Sequence, residues 1–219
     1  MTGPAQLGGS PERRTQRERR ETTIGKLVDA TIEALQEVGY SRATVAEICG
    51  RAGVSQGALF RHFATRLDLL VATADEVSRR QVAEFDERFA GRDATPESVI
   101  EAMSLIRDRA RSPVNVVWHE LLHAARTDPE LRERVEPALR RFSREIDARG
   151  RTWAKAAGYP PERVLALLTI LMHYADGEVA VSRVLSDGGD QQDTYAEREN
   201  QSFALLSRLL ADLLRDGGH

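Results

Sequence analysis

The chain has 219 residues, 41% of them apolar and 30% charged, a balance that suits one large or two unequal globular domains with a buried core and excludes a disordered polyelectrolyte. A single cysteine, Cys49, excludes an internal disulfide framework and any cysteine-rich metal cluster. No apolar run approaches the roughly 18 residues that cross a bilayer, and the first 25 residues lack an apolar signal segment, so the expectation is a cytoplasmic protein with no membrane partner.

The net charge of −3 hides an asymmetry: residues 1–66 carry +3 and residues 67–219 carry −6. Residues 1–20 are rich in Gly, Pro and polar side chains with almost nothing to bury, and are expected to form a disordered basic arm. Arg13, Arg14, Arg17, Arg19 and Arg20 fall within eight positions of it, either as a patch for a polyanion or as a solvated tail. From Ile24 the pattern turns helical: Ile24, Leu27, Val28, Thr31, Leu35 and Val38 recur at three- and four-residue steps, and Gly39 supplies a stop. Thr44-Val45-Ala46-Glu47 is a capping box opening a second helix at Thr44, with Val45, Ile48 and Ala52 on its apolar side. Gly53 permits a tight turn, Val54 plugs the crossing, and Ser55 caps a third helix running through Leu59 and Phe63. A second capping box, Thr65-Arg66-Leu67-Asp68, opens a fourth helix whose stripe Leu67, Leu70, Val71, Ala74 and Val77 continues towards Phe85 and Phe89.

Beyond it, proline in the first turn marks helix starts at Pro96, Pro113, Pro129 and Pro161. A loop is expected over Ser186–Asp193, then a last helix over about 195–214 containing Phe203, Leu206, Leu209, Leu210 and Leu213. No segment alternates with a period of two for long enough to make a strand, so the fold class is all-α. The expected division is an arm at 1–20, a small helical domain at 21–66 and a larger one at 67–219.

Residues 44–63 have the organisation of a helix-turn-helix, in which one short helix enters the major groove while its neighbour braces it across the backbone. Ala52 and Gly53 allow the close crossing, and Ile48, Val54 and Leu59 anchor it from beneath. Outward, Gln56 can pair with an adenine edge, Gly57 lets the backbone approach, and the Ala58 methyl can meet a thymine methyl.

On Gly39-Tyr40, Thr44, Ile48, Ala52-Gly53-Val54-Ser55, Gly57, Leu59-Phe60 and His62-Phe63, at these spacings within Ile24–Leu70, the chain resembles the TetR family of bacterial regulators. Two positions depart from the pattern: the family's usual tyrosine is Phe60 here and its usual lysine is Arg66. The resemblance implies that Thr44 and the first amides of the second helix hold a phosphate, that Ser55, Gln56, Gly57 and Ala58 face the bases, and that Phe60, Arg61, His62 and Arg66 line the DNA backbone, with a guanine as an alternative target for Arg61. It further implies a transcriptional regulator, a repressor rather than an activator, that acts as a homodimer on a palindromic double-stranded operator and responds to a small-molecule effector bound in residues 67–219. The basic arm then becomes a candidate for the minor groove. The last two helices, about 161–185 and 195–214, are the dimer candidates, with plain core as the other reading of their apolar faces.

Met103, Trp118, His119, Phe142, Trp153, Met172 and His173 are candidates for an effector pocket, since such sites are mostly apolar with a few polar groups; ordinary core is the alternative for each. His119-Glu120-Leu121-Leu122-His123 matches the HExxH signature of zinc metalloproteases, with two imidazoles on one helix face and a glutamate as general base. Such an enzyme needs a third protein ligand and a peptide cleft edged by a strand, neither of which the sequence provides. A metal-sensing regulator using the same two histidines, a hydrogen bond from one of them to an organic effector, and merely structural histidines are the other readings. The expectation is a protein that is not an enzyme, with no cofactor.

Overall fold

Capping chemistry and proline placement set out nine helices in the computed structural model, which describes residues 15–89, 96–185 and 190–215. They are α1 (Gln16–Arg42), α2 (Val45–Ala52), α3 (Gln56–Phe60), α4 (Arg66–Phe89), α5 (Pro96–Ala110), α6 (Pro113–Thr127), α7 (Pro129–Ala157), α8 (Pro161–Leu185) and α9 (Asp190–Arg215), with no strand among the described residues.

The first helix starts earlier than its apolar periodicity. Thr15 and Glu18 form a reciprocal capping box, and Arg17 pairs with Glu21 one turn on. These local bonds make Arg17, Arg19 and Arg20 helical, which corrects the expected disorder for that part of the arm; Arg13 and Arg14 lie outside the described residues. Gly39, at φ 73°, breaks α1 as expected, although helical bonding resumes for one more turn to Arg42. Thr44 caps α2 by accepting from the Glu47 amide at 3.2 Å, but the second half of that box does not form, because the Glu47 carboxylate turns to Arg51 at 2.7 Å. The box at Thr65 and Asp68 is complete. Ser112 and Asp128 cap α6 and α7 ahead of their prolines. The last helix begins at Asp190, inside the expected Ser186–Asp193 loop; its first turn is polar in sequence and so carries no apolar period.

One apolar cluster runs without a gap from Leu27, Leu35, Ile48 and Leu59 through Leu69, Leu70 and Val77 to Val117, Leu121, Leu131 and Val135. It therefore crosses the expected boundary at 66/67, seating α1 against α4 and α6. A second cluster, with Val99, Met103, Leu167, Leu171, Phe203, Leu210 and Leu214, joins α5, α8 and α9. Within α8, Pro161–Ser182 is long and apolar enough to span a bilayer, contrary to the expectation from sequence. In the fold this helix packs on α5, α7 and α9.

Candidate nucleic-acid interface and internal cavity

The short helix α3 is held from below by Leu59, which is fully buried, and at its start by the Ser55 hydroxyl, which accepts from the Ala58 amide at 3.1 Å. This arrangement leaves Ser55, Gln56, Gly57, Phe60 and Arg61 exposed, with Ala58 and His62 half-buried. Phe60 is 49% exposed, an aromatic ring set in water beside polar neighbours. Thr44 is exposed at the start of α2. Gln16, Arg17, Arg19, Arg20 and Thr23 of α1 face Arg61 and His62 across one surface concavity. Arg17 is paired with Glu21, whereas Arg19, Arg20 and Arg61 have no carboxylate within ion-pair distance among the described residues. Three uncompensated cations beside a polar reading face form a local field for a polyanion, despite the negative net charge of the whole chain.

Arg66 is not on that face. Its Nε donates to the Ala43 carbonyl at 2.8 Å and its Nη2 to the Tyr40 carbonyl at 2.6 Å, while the guanidinium lies 4.6 Å from the centroid of the Tyr40 ring. The carbonyls at the end of α1 attract the cation, which braces the α1–α2 turn. The same turn is held from the larger bundle. The Tyr40 amide donates to Glu120 Oε2 of α6 at 2.9 Å, and its hydroxyl donates to Asp128 Oδ2 at 3.2 Å. A Cβ at Gly39 would meet Glu120 Oε2 at 3.2 Å, so this glycine supplies both the turn and the room for the carboxylate.

That placement gives the HExxH reading no support. Glu120 is committed to the Tyr40 amide, His119 Nε2 lies 3.0 Å from Asp176 Oδ1 of α8, and His123 is exposed. The His119 and His123 rings lie side by side, centroids 6.1 Å apart, but Glu120 is turned away to α1. Among the described residues no group of three or more His, Cys, Asp or Glu side chains could hold a metal. Burial opposes ionisation of Asp176, but His119 and Asn115 outweigh it and hold the carboxyl below its ordinary value.

A cavity of about 470 Å³ opens among α4, α5, α7, α8 and the end of α9. Met103 and Trp153 line it, as the sequence suggested. Trp118 and Phe142 do not; they form an edge-to-face pair in the neighbouring core, ring centroids 4.9 Å apart, against which Met172 packs. His119 is turned to Asp176, and His173 is exposed. Phe85, Ile106, Leu167, Leu168 and Leu171 complete the wall, with the Asp86–Arg149 ion pair at its edge. None of these was singled out from sequence, because a leucine facing a cavity has the same period as one facing core.

The outer faces of α8 and α9 carry Ile170, Val181, Val184 and Leu185, and Leu205, Leu209 and Leu213, respectively. Val184 is 80% exposed and Leu209 53%. Phe203, Leu210 and Leu214 point the opposite way, into the core, so α9 is apolar on two sides.

Comparison with known proteins completes the picture. The sequence pattern of bacterial regulatory proteins of the tetR family matches residues 27–73. The HTH-type transcriptional regulator Rv2912c of Mycobacterium tuberculosis is 38% identical over 197 residues, spanning 90% of this chain and 97% of that protein. CymR of Pseudomonas putida, also an HTH-type transcriptional regulator, is 35% identical over 136 residues, 60% of this chain and 65% of its own length. Among solved structures, a transcriptional regulator from Rhodococcus sp. Rha1 matches with a TM-score of 0.64 at 23% identity, covering 89% of this chain and 96% of that one. FadR from Bacillus subtilis, solved in complex with stearoyl-CoA, matches with a TM-score of 0.58 at 18% identity over 89% of this chain and 98% of that one. At these identities the structures show a shared fold. The relative matched along nearly its whole length explains why a polar reading helix sits at one end of an otherwise apolar-cored bundle: this chain belongs to the TetR family of bacterial regulatory proteins and is a DNA-binding transcriptional regulator.

Proposed function

We propose that the protein is a cytoplasmic homodimeric repressor that occupies a palindromic operator and releases it when a small molecule enters the cavity in the larger bundle. The observation that carries the DNA half is the reading face itself: Gln56 and Gly57 exposed on α3 and Arg61 just after it, with Arg19 and Arg20 alongside, unpaired among the described residues. Gln56, Gly57 and Ala58 meet base edges, with Ser55 beside them, while Thr44, Phe60, Arg61 and His62 lie along the phosphates; Arg19 and Arg20 extend that contact from α1. One five-residue helix covers too little DNA for high specificity, which favours two-fold pairing through the exposed apolar faces of α8 and α9.

Coupling runs through α6. Glu120 holds the Tyr40 amide at the α1 kink, so a shift of α6 within the bundle moves the support of α1 and of the α2–α3 pair packed on it. Because such coupling is reciprocal, an effector that weakens operator binding must itself bind more weakly to the protein–DNA complex. Selection of bound sequences from random DNA tests the proposal. It should return a palindrome whose half-sites are centred about 34–36 Å apart, or a multiple of that, and an unstructured or non-repeating outcome would refute the operator reading.

A further inference from the structure

We infer that the cavity takes an uncharged, hydrocarbon-rich molecule bearing a ring, held by shape and apolar contact and by no ion pair. This rests on reading the larger bundle as the effector-binding part. Its volume of about 470 Å³ lies in the range of small-molecule sites, and Phe85, Met103, Ile106, Trp153, Leu167 and Leu171 make its wall almost wholly apolar. Four lining residues carry side-chain polar groups, Trp153 through its indole N–H and Thr152, Arg149 and Asp86, and the last three have partners at hand. The Thr152 hydroxyl donates to the Ala148 carbonyl of its own helix at 2.9 Å. Arg149 holds both Asp86 oxygens, Nε to Oδ1 at 2.5 Å and Nη2 to Oδ2 at 2.7 Å. Its Nη1 donates to the Glu145 carbonyl at 3.1 Å and lies 3.7 Å from the Glu145 carboxylate.

Among the described lining residues the one cation, Arg149, is therefore matched by two carboxylates. An anionic ligand would have to break a bidentate pair and then sit beside Glu145. A cationic ligand would find Asp86 already taken, and no carboxylate further in among the lining residues. Either ion would enter an apolar wall unpaired, the costly case for a buried charge. The Asp86 carboxyl is held below its ordinary value chiefly by its hydrogen bonds from Arg149, in keeping with a pair that is already satisfied. A ring is favoured by Trp153, a lining aromatic whose indole is held in place by stacking on Tyr159 at 5.9 Å and 24°.

Three probes with one ring system and different charge test this: naphthalene, 2-naphthoate and protonated 2-(aminomethyl)naphthalene, titrated into the full chain by tryptophan fluorescence and calorimetry. Naphthalene should bind at least about tenfold more tightly than either ion. Its binding should disappear in Ala102→Trp or Ala156→Phe, two cavity-filling variants checked for fold by circular dichroism and retained operator binding. Equal or tighter binding of 2-naphthoate, weakened by Arg149→Gln, would overturn the inference, as would failure of naphthalene to bind. Operator release is followed in a separate titration. If naphthalene binds and is displaced by cavity filling while the operator stays bound, the cavity chemistry stands and the release reading fails.

Discussion

Replacing Glu120 by alanine removes the acceptor that α6 offers to the Tyr40 amide at the α1 kink. The bond is 2.9 Å long and charge-assisted, a class that contributes about 1.5–3 kcal/mol when its donor is shielded from water. Tyr40 is only half-buried, so water recovers part of that loss, and the expected destabilisation is about 2 kcal/mol. For a chain of this size that corresponds to a fall of about 4–8 °C in melting temperature. Glu120→Gln keeps an oxygen at the same reach and loses only the charge, so it should recover to within about 1 kcal/mol of the parent. Denaturant and thermal unfolding of the three proteins at one protein concentration measure both differences. A cost below about 0.5 kcal/mol for the alanine variant, or a glutamine variant as unstable as the alanine one, would refute the reasoning. Since this bond links the bundle to the DNA-reading end, Glu120→Ala should also narrow the gap between operator affinities with and without effector.

Arg66→Ala should lower stability through loss of its two carbonyl bonds while leaving the salt dependence of DNA binding nearly unchanged. Arg19→Ala or Arg20→Ala should do the reverse, reducing the salt slope by about one each with little effect on unfolding. If two chains pair through α8 and α9 as proposed, Leu209→Glu should weaken self-association at least about tenfold in sedimentation equilibrium, because pairing would bury an unpaired carboxylate; unaltered association would place the interface elsewhere. The Asp176 carboxyl is depressed in the folded state, so its contribution to stability is complete above its unfolded value of about 3.9 and is lost as pH falls through the folded value. Asp176→Asn should accordingly flatten the acid limb of the stability profile, and an unchanged limb would contradict the assigned contacts.

What could be read from sequence was local. Ser55, Gly53 and the prolines at 113, 129 and 161 act within a few residues of themselves, and so they marked the turn and the helix starts correctly. The capping box at Thr44 satisfied the same local rule but lost half of its bonds to a competitor, since Arg51 draws the Glu47 carboxylate away. Arg66 could not be placed because its partners, the Tyr40 and Ala43 carbonyls, lie more than twenty residues back along the chain. The junction at Glu120 and the pair Arg149–Asp86 are longer-range still. The cavity was legible only in part: Met103 and Trp153 were identified as large residues of central helices, but the same criterion also selected Trp118, Phe142 and Met172, which are core. Whether an apolar side chain faces a space or a neighbour depends on how helices are set apart, and periodicity does not carry that information. A similar confusion attends α9, where Leu209 and Leu213 point outward and Phe203 and Leu210 inward, so that the helix is apolar on two sides.

The central claim, that the α3 face reads sequence, is tested most directly by measuring affinities of the parent and Gln56→Ala for a selected operator and for every single-base variant of it. The parent should discriminate by about 1–3 kcal/mol at one symmetry-related pair of positions, and Gln56→Ala should lose discrimination at those positions alone. Equal weakening on every sequence, with all base preferences intact, would contradict it.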